Sequence, residues 1–181
     1  MNPANLITLG RLLSVPVSVW LILAGQFAAA FWMFVLAGVS DAVDGFIAKR
    51  FDMRTKIGAL LDPVADKTLL VSTYVTLGVA GQLPTWLVIL VVSRDLMIVG
   101  GFLLVRLLVE NIGSDPLFIS KANTALQIVL AALTLARLGF NLDDHGLGAG
   151  LILAVAATTI LSGAAYLVRW GRSLAGAEER Q

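Results

Sequence analysis

Six long runs of mostly apolar residues, roughly 6–24, 28–48, 57–80, 85–109, 119–138 and 147–169, dominate the chain. A helix needs roughly 20 such residues to cross a bilayer. Between the runs lie the residues that break helices: Gly25-Gln26, the charged stretch from Lys49 to Lys56, Gly81-Gln82-Leu83-Pro84, Gly113-Ser114-Asp115-Pro116, and Asn141 to Gly146. Backbone groups in lipid must satisfy one another within the segment, which favours helices over open strands. The alternation of a membrane barrel is absent. The expectation is an all-α polytopic membrane protein with six transmembrane helices, built as a single domain over residues 1–181. Composition agrees. Hydrophobic residues make up 58% and charged residues 14%, where a soluble domain sits nearer half and about a quarter. Mean hydropathy is +0.88.

Loop charge sets the expected orientation. The second connection carries Lys49, Arg50, Arg54 and Lys56; the fourth is edged by Arg106 and Lys121; the tail carries Arg169, Arg172 and Arg180. The first and third connections, Gly25–Phe27 and Gly81–Pro84, carry no charge, and the fifth holds Asp143 and Asp144 with Arg137 as its positive neighbour. Basic loops remain cytoplasmic, so both termini and the even-numbered connections are expected inside. The first apolar run has no basic residue before Arg11 and is interrupted by it, unlike a cleaved signal; it reads as a retained helix. A net charge of +1 supplies no field for nucleic acid, and the absence of cysteine excludes disulfides, thiolate metal sites and thiol nucleophiles. His145, the single histidine, lies in a polar loop and reads as solvated.

Four aspartates stand out against this background. Asp41 and Asp44 fall in the second apolar run, Asp62 and Asp66 in the third. An ionised carboxylate inside a membrane costs at least about 2.5–3.5 kcal/mol, so four of them need compensation. Helix positions three or four apart share a face, which puts each pair on one side of its helix. The short basic connection brings the two helices side by side and antiparallel, with both pairs toward its cytoplasmic end. Hard oxygen ligands without histidine or cysteine suit Mg²⁺, Mn²⁺ or Ca²⁺. Four carboxylates can share two ions, a recurrent arrangement in phosphoryl chemistry. Gly45, directly after Asp44, and Gly58, four before Asp62, let a ligand or a second helix approach the backbone. Ala48 keeps the face of Asp44 small.

Read as a string, Asp41-x-x-Asp44-Gly45-x-x-Ala48-Lys49, eight residues, then Gly58-x-x-x-Asp62-x-x-x-Asp66 resembles the signature of the CDP-alcohol phosphatidyltransferases. The departure is Lys49, where that family usually has arginine; charge is kept and the bidentate fork is lost. Asn5-x-x-Thr8-x-x-Arg11 is similar to the family's first helix. The resemblance implies that Asp41, Asp44 and Asp62 bind metal, with Mg²⁺ or Mn²⁺ the ions and two the number. It implies that Asp66 binds metal and serves as the catalytic base. Gly45, Ala48, Gly58, Lys49, Asn5 and Thr8 are implied at the cytidine diphosphate site. The implied reaction moves a phosphatidyl group from CDP-diacylglycerol to an alcohol, releasing CMP. Asp66 would take the hydroxyl proton, and the lipid tails would stay in the bilayer while the nucleotide enters from the cytoplasm.

Acceptor choice should rest on polar groups outside this signature: Arg94, Asp95, Arg106, Ser120, Lys121, Asn123 and Thr124. Arg94 and Asp95 lie mid-span, as substrate ligands or as an internal brace. Adjacent residues do not face each other on a helix, so each is expected to find its partner elsewhere. Family members that use glycerol 3-phosphate tend to have Lys-x-Lys-Thr-Ala in helix five and an arginine after a glycine in helix four. Here these positions read Lys121-Ala122-Asn123-Thr124-Ala125 and Gly100-Gly101-Phe102. Ser93-Arg94-Asp95, Ile119 to Ala125 and Tyr166-x-x-x-x-Gly171-Arg172 are more similar to the cardiolipin-forming branch, whose acceptor is phosphatidylglycerol. The expected acceptor is therefore phosphatidylglycerol, with glycerol 3-phosphate the alternative, and Arg94, Arg106, Lys121 and Asn123 as the acceptor-binding set.

A cation or proton transporter would also explain intramembrane carboxylates, but not their fixed spacing with Gly45, Ala48 and Gly58. A scaffold with a structural metal leaves the complete set of four aspartates unexplained. Membrane lipids are the main expected partners. The resemblance implies a homodimer, and the charge pattern points to a bacterial inner membrane with the active site at the cytoplasmic face.

Overall fold

The computed structural model describes the backbone of residues 3–51, 58–108 and 118–178 and, within these, the side chains of residues 10, 13–40, 67–101, 118–169 and 171. Six helices follow in order: α1 Pro3–Leu23, α2 Phe27–Phe51, α3 Gly58–Val79, α4 Thr85–Leu108, α5 Phe118–Phe140 and α6 Leu147–Glu178. No strand occurs among the described residues. Each helix coincides with one apolar run. The ends differ most at α6, which continues to Glu178 where its apolar run stops near 169. Helical hydrogen bonding does not end where apolarity ends, and Leu174, Ala175 and Ala177 are good helix formers. Residues Arg54, Lys56, Asp115 and Pro116 lie outside the described residues.

All of α5 and the Leu147–Arg169 part of α6 are long and apolar enough to cross a membrane. Large apolar side chains cover the outside of the helices: Leu13, Trp20, Leu36, Ile89, Leu96, Leu153 and Ile160 are all exposed. Polar side chains are among the most buried, including Arg94, Asp95, Asn123, Gln127, Thr159 and Ser162. A water-soluble bundle has the opposite distribution.

The helices group into two compact units. The first comprises Met1–Pro84 and Ala131–His145, the second Thr85–Leu130 and Gly146–Gln181. In the first unit α1 packs against both α2 and α3. Its core holds Ile22, Ala30, Tyr74, Leu77, Ala131 and Leu135. Sharp stops close its helices. Gly25, at φ 72°, ends α1 with Gly25 N donating to Ile22 O (3.1 Å) and Gln26 N to Leu21 O (2.9 Å). Gly81, at φ 71°, repeats the pattern after α3, with Gln82 N donating to Leu77 O (2.8 Å). This left-handed cap satisfies the last carbonyls and favours glycine, which has no Cβ to clash. Asn141 serves in the same way after α5 at φ 51°, with Leu142 N donating to Arg137 O (3.1 Å). In the second unit α4 packs against α6 around Leu87, Val91, Leu130 and Val155.

The end of α5 lies against the start of α2. Phe31 and Phe140 meet edge to face with ring centres 5.5 Å apart. A Cβ on Gly139 would stand 2.5 Å from Ala28 N and 2.6 Å from Ala28 Cα. Alanine at 139 gains up to about 1 kcal/mol in helix propensity, but the clash is with backbone and no rotamer relieves it. Overpacking of this kind costs about 1–3 kcal/mol. Gly139→Ala should therefore lower the thermal unfolding midpoint in detergent. Gly150→Ala, where a Cβ meets nothing within 4 Å, should not lower it. Equal midpoints for the two variants would contradict this packing.

Candidate functional site

The signature falls on two helices. Asp41, Asp44, Gly45, Ala48 and Lys49 occupy the later part of α2, and Gly58, Asp62 and Asp66 the beginning of α3. Because both segments are helical, the i,i+3 spacing of Asp41 and Asp44 and the i,i+4 spacing of Asp62 and Asp66 place each pair on one helix face. Asn5 and Thr8 lie near the start of α1, and Arg106 near the end of α4. The side chains of Asn5, Thr8, Asp41, Asp44, Ala48, Lys49, Asp62, Asp66 and Arg106 lie outside the described residues. Among the described residues, no three His, Asp or Glu side chains come together as a metal-ligating group.

The described polar cluster lies in the second unit, along the seam of α4, α5 and α6. Arg94 is 4% exposed. Its Nη1 donates to Asp95 Oδ1 at 2.7 Å. Its Nη2 donates to Ser120 Oγ on α5 at 2.6 Å and to Ser162 Oγ on α6. One turn along α5, Asn123 is fully buried. Its Oδ1 accepts from Thr158 Oγ1 at 2.8 Å and from Thr159 Oγ1 at 3.0 Å, both on α6. Gly163 allows α6 to approach α4, since a Cβ there would lie 3.4 Å from Met97 Cε and 3.9 Å from Arg94 Cγ.

The pairing of Arg94 with Asp95 departs from the expectation that neighbours on a helix need separate partners. Backbone directions diverge by about 100° between successive helix residues. The arginine stem is nevertheless long enough to carry its guanidinium back to the carboxylate, and α5 and α6 then supply the remaining partners. The charges of Arg94 and Asp95 thus offset each other inside the bundle. Two N–H groups remain without partners in this cluster, Arg94 Nε and Asn123 Nδ2. Lys121 is exposed on α5. Thr124 donates to Ser120 O at 3.1 Å, its own helix backbone, which leaves it a local role.

The α6 hydroxyls were not legible as site residues. Thr158, Thr159 and Ser162 sit in an apolar run where isolated hydroxyls usually bond to their own helix backbone. The available signal was their spacing, which puts Thr158, Thr159 and Ser162 within one turn on a common side.

Comparison with known proteins places this chain in a family. The model of the CDP-alcohol phosphatidyltransferases matches residues 1–165, a span that runs through both units. The chain is 34% identical over 179 residues to a cardiolipin synthase (CMP-forming) / mitochondrial hydrolase fusion protein of Schizosaccharomyces pombe, covering 91% of this chain and 30% of that protein. It is 35% identical over 156 residues to cardiolipin synthase (CMP-forming) of Rattus norvegicus, covering 77% of this chain and 52% of the relative. It is 32% identical over 182 residues to a probable phosphatidylglycerophosphate synthase of Mycobacterium tuberculosis, covering 97% and 84%. The chain thus spans about half or less of the first two relatives and most of the third. With the signature in place on α2 and α3 and the match running through 165, the chain belongs to the CDP-alcohol phosphatidyltransferase family.

Proposed function

We propose that the protein transfers a phosphatidyl group from CDP-diacylglycerol to phosphatidylglycerol, forming cardiolipin and CMP. The observation that carries this reading is the helical register of Asp41, Asp44, Asp62 and Asp66 on α2 and α3 in a member of this family. The donor set fits divalent ions: four hard carboxylates, paired by face on helical segments. Asp41, Asp44, Asp62 and Asp66 would hold two Mg²⁺ or Mn²⁺ ions, which supply electrostatic relief for the diphosphate and for the departing nucleotide.

The chain's own residues then account for the chemistry. Asp66 accepts the proton of the acceptor hydroxyl as its oxygen bonds to the phosphorus that bears the diacylglycerol. The bond from that phosphorus to the bridging oxygen breaks, and the electron pair leaves with CMP. Gly45, Ala48 and Gly58 leave room for the nucleotide at the backbone. Lys49 opposes its charge, and Asn5 and Thr8 offer it polar contacts. Holding both substrates in line supplies much of the acceleration.

The names of the relatives accommodate both acceptors, cardiolipin synthase in two cases and phosphatidylglycerophosphate synthase in the third. Asn123 and Phe102 favour phosphatidylglycerol, because each stands where glycerol 3-phosphate users carry a cation. The offset charge of Arg94 supports the same choice. A phosphomonoester dianion needs more cations than a phosphodiester monoanion, for which Arg106 and Lys121 remain. Glycerol 3-phosphate is the second reading, favoured by the name of the mycobacterial relative.

The working form is one membrane domain of residues 1–181, with six spans, both termini and the active site at the cytoplasmic face, and a homodimeric assembly in a bacterial inner membrane. Exposed tryptophans support spans that end near the uncharged connections. Trp20 lies near the end of α1, Trp32 near the start of α2 and Trp86 at the start of α4, each close to a connection without charge. Tryptophan concentrates at both membrane–water boundaries, and the orientation itself rests on the basic connections, which stay cytoplasmic.

Two measurements test the proposal. In detergent with Mg²⁺ or Mn²⁺ and CDP-diacylglycerol, CMP release is expected with phosphatidylglycerol, with cardiolipin as product. Release only with glycerol 3-phosphate would reverse the acceptor assignment and keep the chemistry. Asp66→Asn is expected to abolish turnover while nucleotide and metal binding persist, whereas Asp41→Ala weakens metal-dependent CDP binding. Turnover at the wild-type rate in Asp66→Asn would remove Asp66 as the base.

A further inference from the structure

The polar seam of the second unit contains an asymmetry that its bracing role does not explain. Asn123 Oδ1 accepts from Thr159 Oγ1 and faces Thr158 Oγ1, whose single proton is shared with carbonyls of its own helix, while Nδ2 has no partner and the residue is 0% exposed. One turn away, both terminal nitrogens of Arg94 are engaged by Asp95, Ser120 and Ser162, while Nε has none. A buried donor left without an acceptor costs about 1–3 kcal/mol. Two of them occur on successive turns of one seam, because Ser120 and Asn123 are neighbours on α5 and Thr159 and Ser162 neighbours on α6. Each donor also belongs to a side chain with another polar atom bonded to α6: Asn123 Oδ1 through Thr158 and Thr159, and Arg94 Nη2 through Ser162, alongside Asp95 and Ser120. The hydroxyls of α6 therefore help to set which edge of the amide, and which nitrogen of the guanidinium, stays free.

We infer that Thr159 and Ser162 are positioning residues for the acceptor alcohol: they hold Asn123 and Arg94 so that Nδ2 and Nε donate to acceptor oxygens. This rests on the acceptor role given above to Arg94 and Asn123 and extends it to α6. The seam offers hydrogen bonds with no net charge, since Arg94 is offset by Asp95 and Asn123 is neutral. Hydroxyl oxygens of a glycerol headgroup, or one phosphodiester oxygen, match such donors. A dianion matches them least well, because the seam supplies no net positive charge to offset either of its charges in a poorly screened interior. Of the two hydroxyls on Asn123, that of Thr158 also reaches the carbonyls of Ala154 at 2.8 Å and Val155 at 3.2 Å on its own helix. Thr159 is thus the residue whose loss should release the amide.

The test uses the full chain in detergent with short-chain phosphatidylglycerol and with glycerol 3-phosphate, and reads two quantities. One is the shift of the unfolding midpoint on adding acceptor; the other is KM for acceptor and for CDP-diacylglycerol, separately. Thr159→Val keeps the volume and removes the donor. It should raise KM for the acceptor about tenfold and reduce the midpoint shift, as expected for one misdirected hydrogen bond to ligand, with KM for CDP-diacylglycerol unchanged. Thr159→Ser restores the hydroxyl and should return both values. An unchanged acceptor KM in Thr159→Val, a parallel rise for both substrates, or no rescue by serine would overturn the inference. Should Thr159→Val not fold, Ser162→Ala tests the other half of the seam: it removes the α6 bond of Arg94, which keeps Asp95 and Ser120, and should raise the acceptor KM by less; an unchanged acceptor KM there overturns the inference. Wild-type protein stabilised by neither acceptor would also overturn it. Stabilisation by phosphatidylglycerol without CMP release would sustain the positioning role and sink the proposed reaction. If glycerol 3-phosphate alone is bound and used, the neutral-donor argument fails with the acceptor assignment.

Discussion

The ion pair of Arg94 and Asp95 inside an apolar helix is the constraint around which the second unit is organised. α4 contributes both charges, yet its own apolar neighbours Ile89, Leu96 and Val99 are exposed. The charged groups cannot turn outward with them, so the partners have to come from other helices. Ser120 on α5 and Ser162 on α6 meet the guanidinium, and Gly163 lets α6 come close enough. Packing among apolar side chains alone is less directional in setting register. A guanidinium with directional bonds to two helices sets it more strictly, since rotating any one of them leaves a buried donor or a hydroxyl unmatched. Removing one partner of such a buried pair costs more than the pair contributes, because the other charge remains.

The same logic separates what the residue pattern reveals from what it hides. Helix positions were legible because length and breakers are properties of contiguous sequence: Gly25, Gly81 and Asn141 each take the left-handed conformation that ends a helix. The signature was legible because its spacing is commensurate with the helix turn, and both segments are helical. The arrangement of the four carboxylates about an ion depends on side chains outside the described residues. The pairing of Arg94 with Asp95 was not legible, because spacing rules describe where Cβ atoms point and take no account of the reach of a long side chain. Thr158, Thr159 and Ser162 were hidden for a different reason. A hydroxyl in an apolar helix is compatible with a bond to its own backbone, as Thr73 makes to Leu69 O at 2.8 Å. Only tertiary contact distinguishes that case from Thr159.

In the proposed reaction, chemistry and selection fall on different helices. The carboxylates of α2 and α3 would act on a phosphorus and a leaving nucleotide that are common to every acceptor, so their spacing could be fixed. Selection depends on matching the charge and hydrogen-bonding pattern of a headgroup, which differs from one acceptor to another. A lysine at position 123 would bring an uncompensated charge and three donors to hydroxyls that now donate to the Asn123 oxygen. Thr158 and Thr159 would have to turn their own protons elsewhere. Thr158 has Ala154 O within reach, so one of the two can adapt within its helix. A change of acceptor by that single replacement therefore strains α6 as well as α5. Under the proposed acceptor role, the residue at 123 and the hydroxyls facing it would therefore act as one unit of specificity, because they share hydrogen bonds.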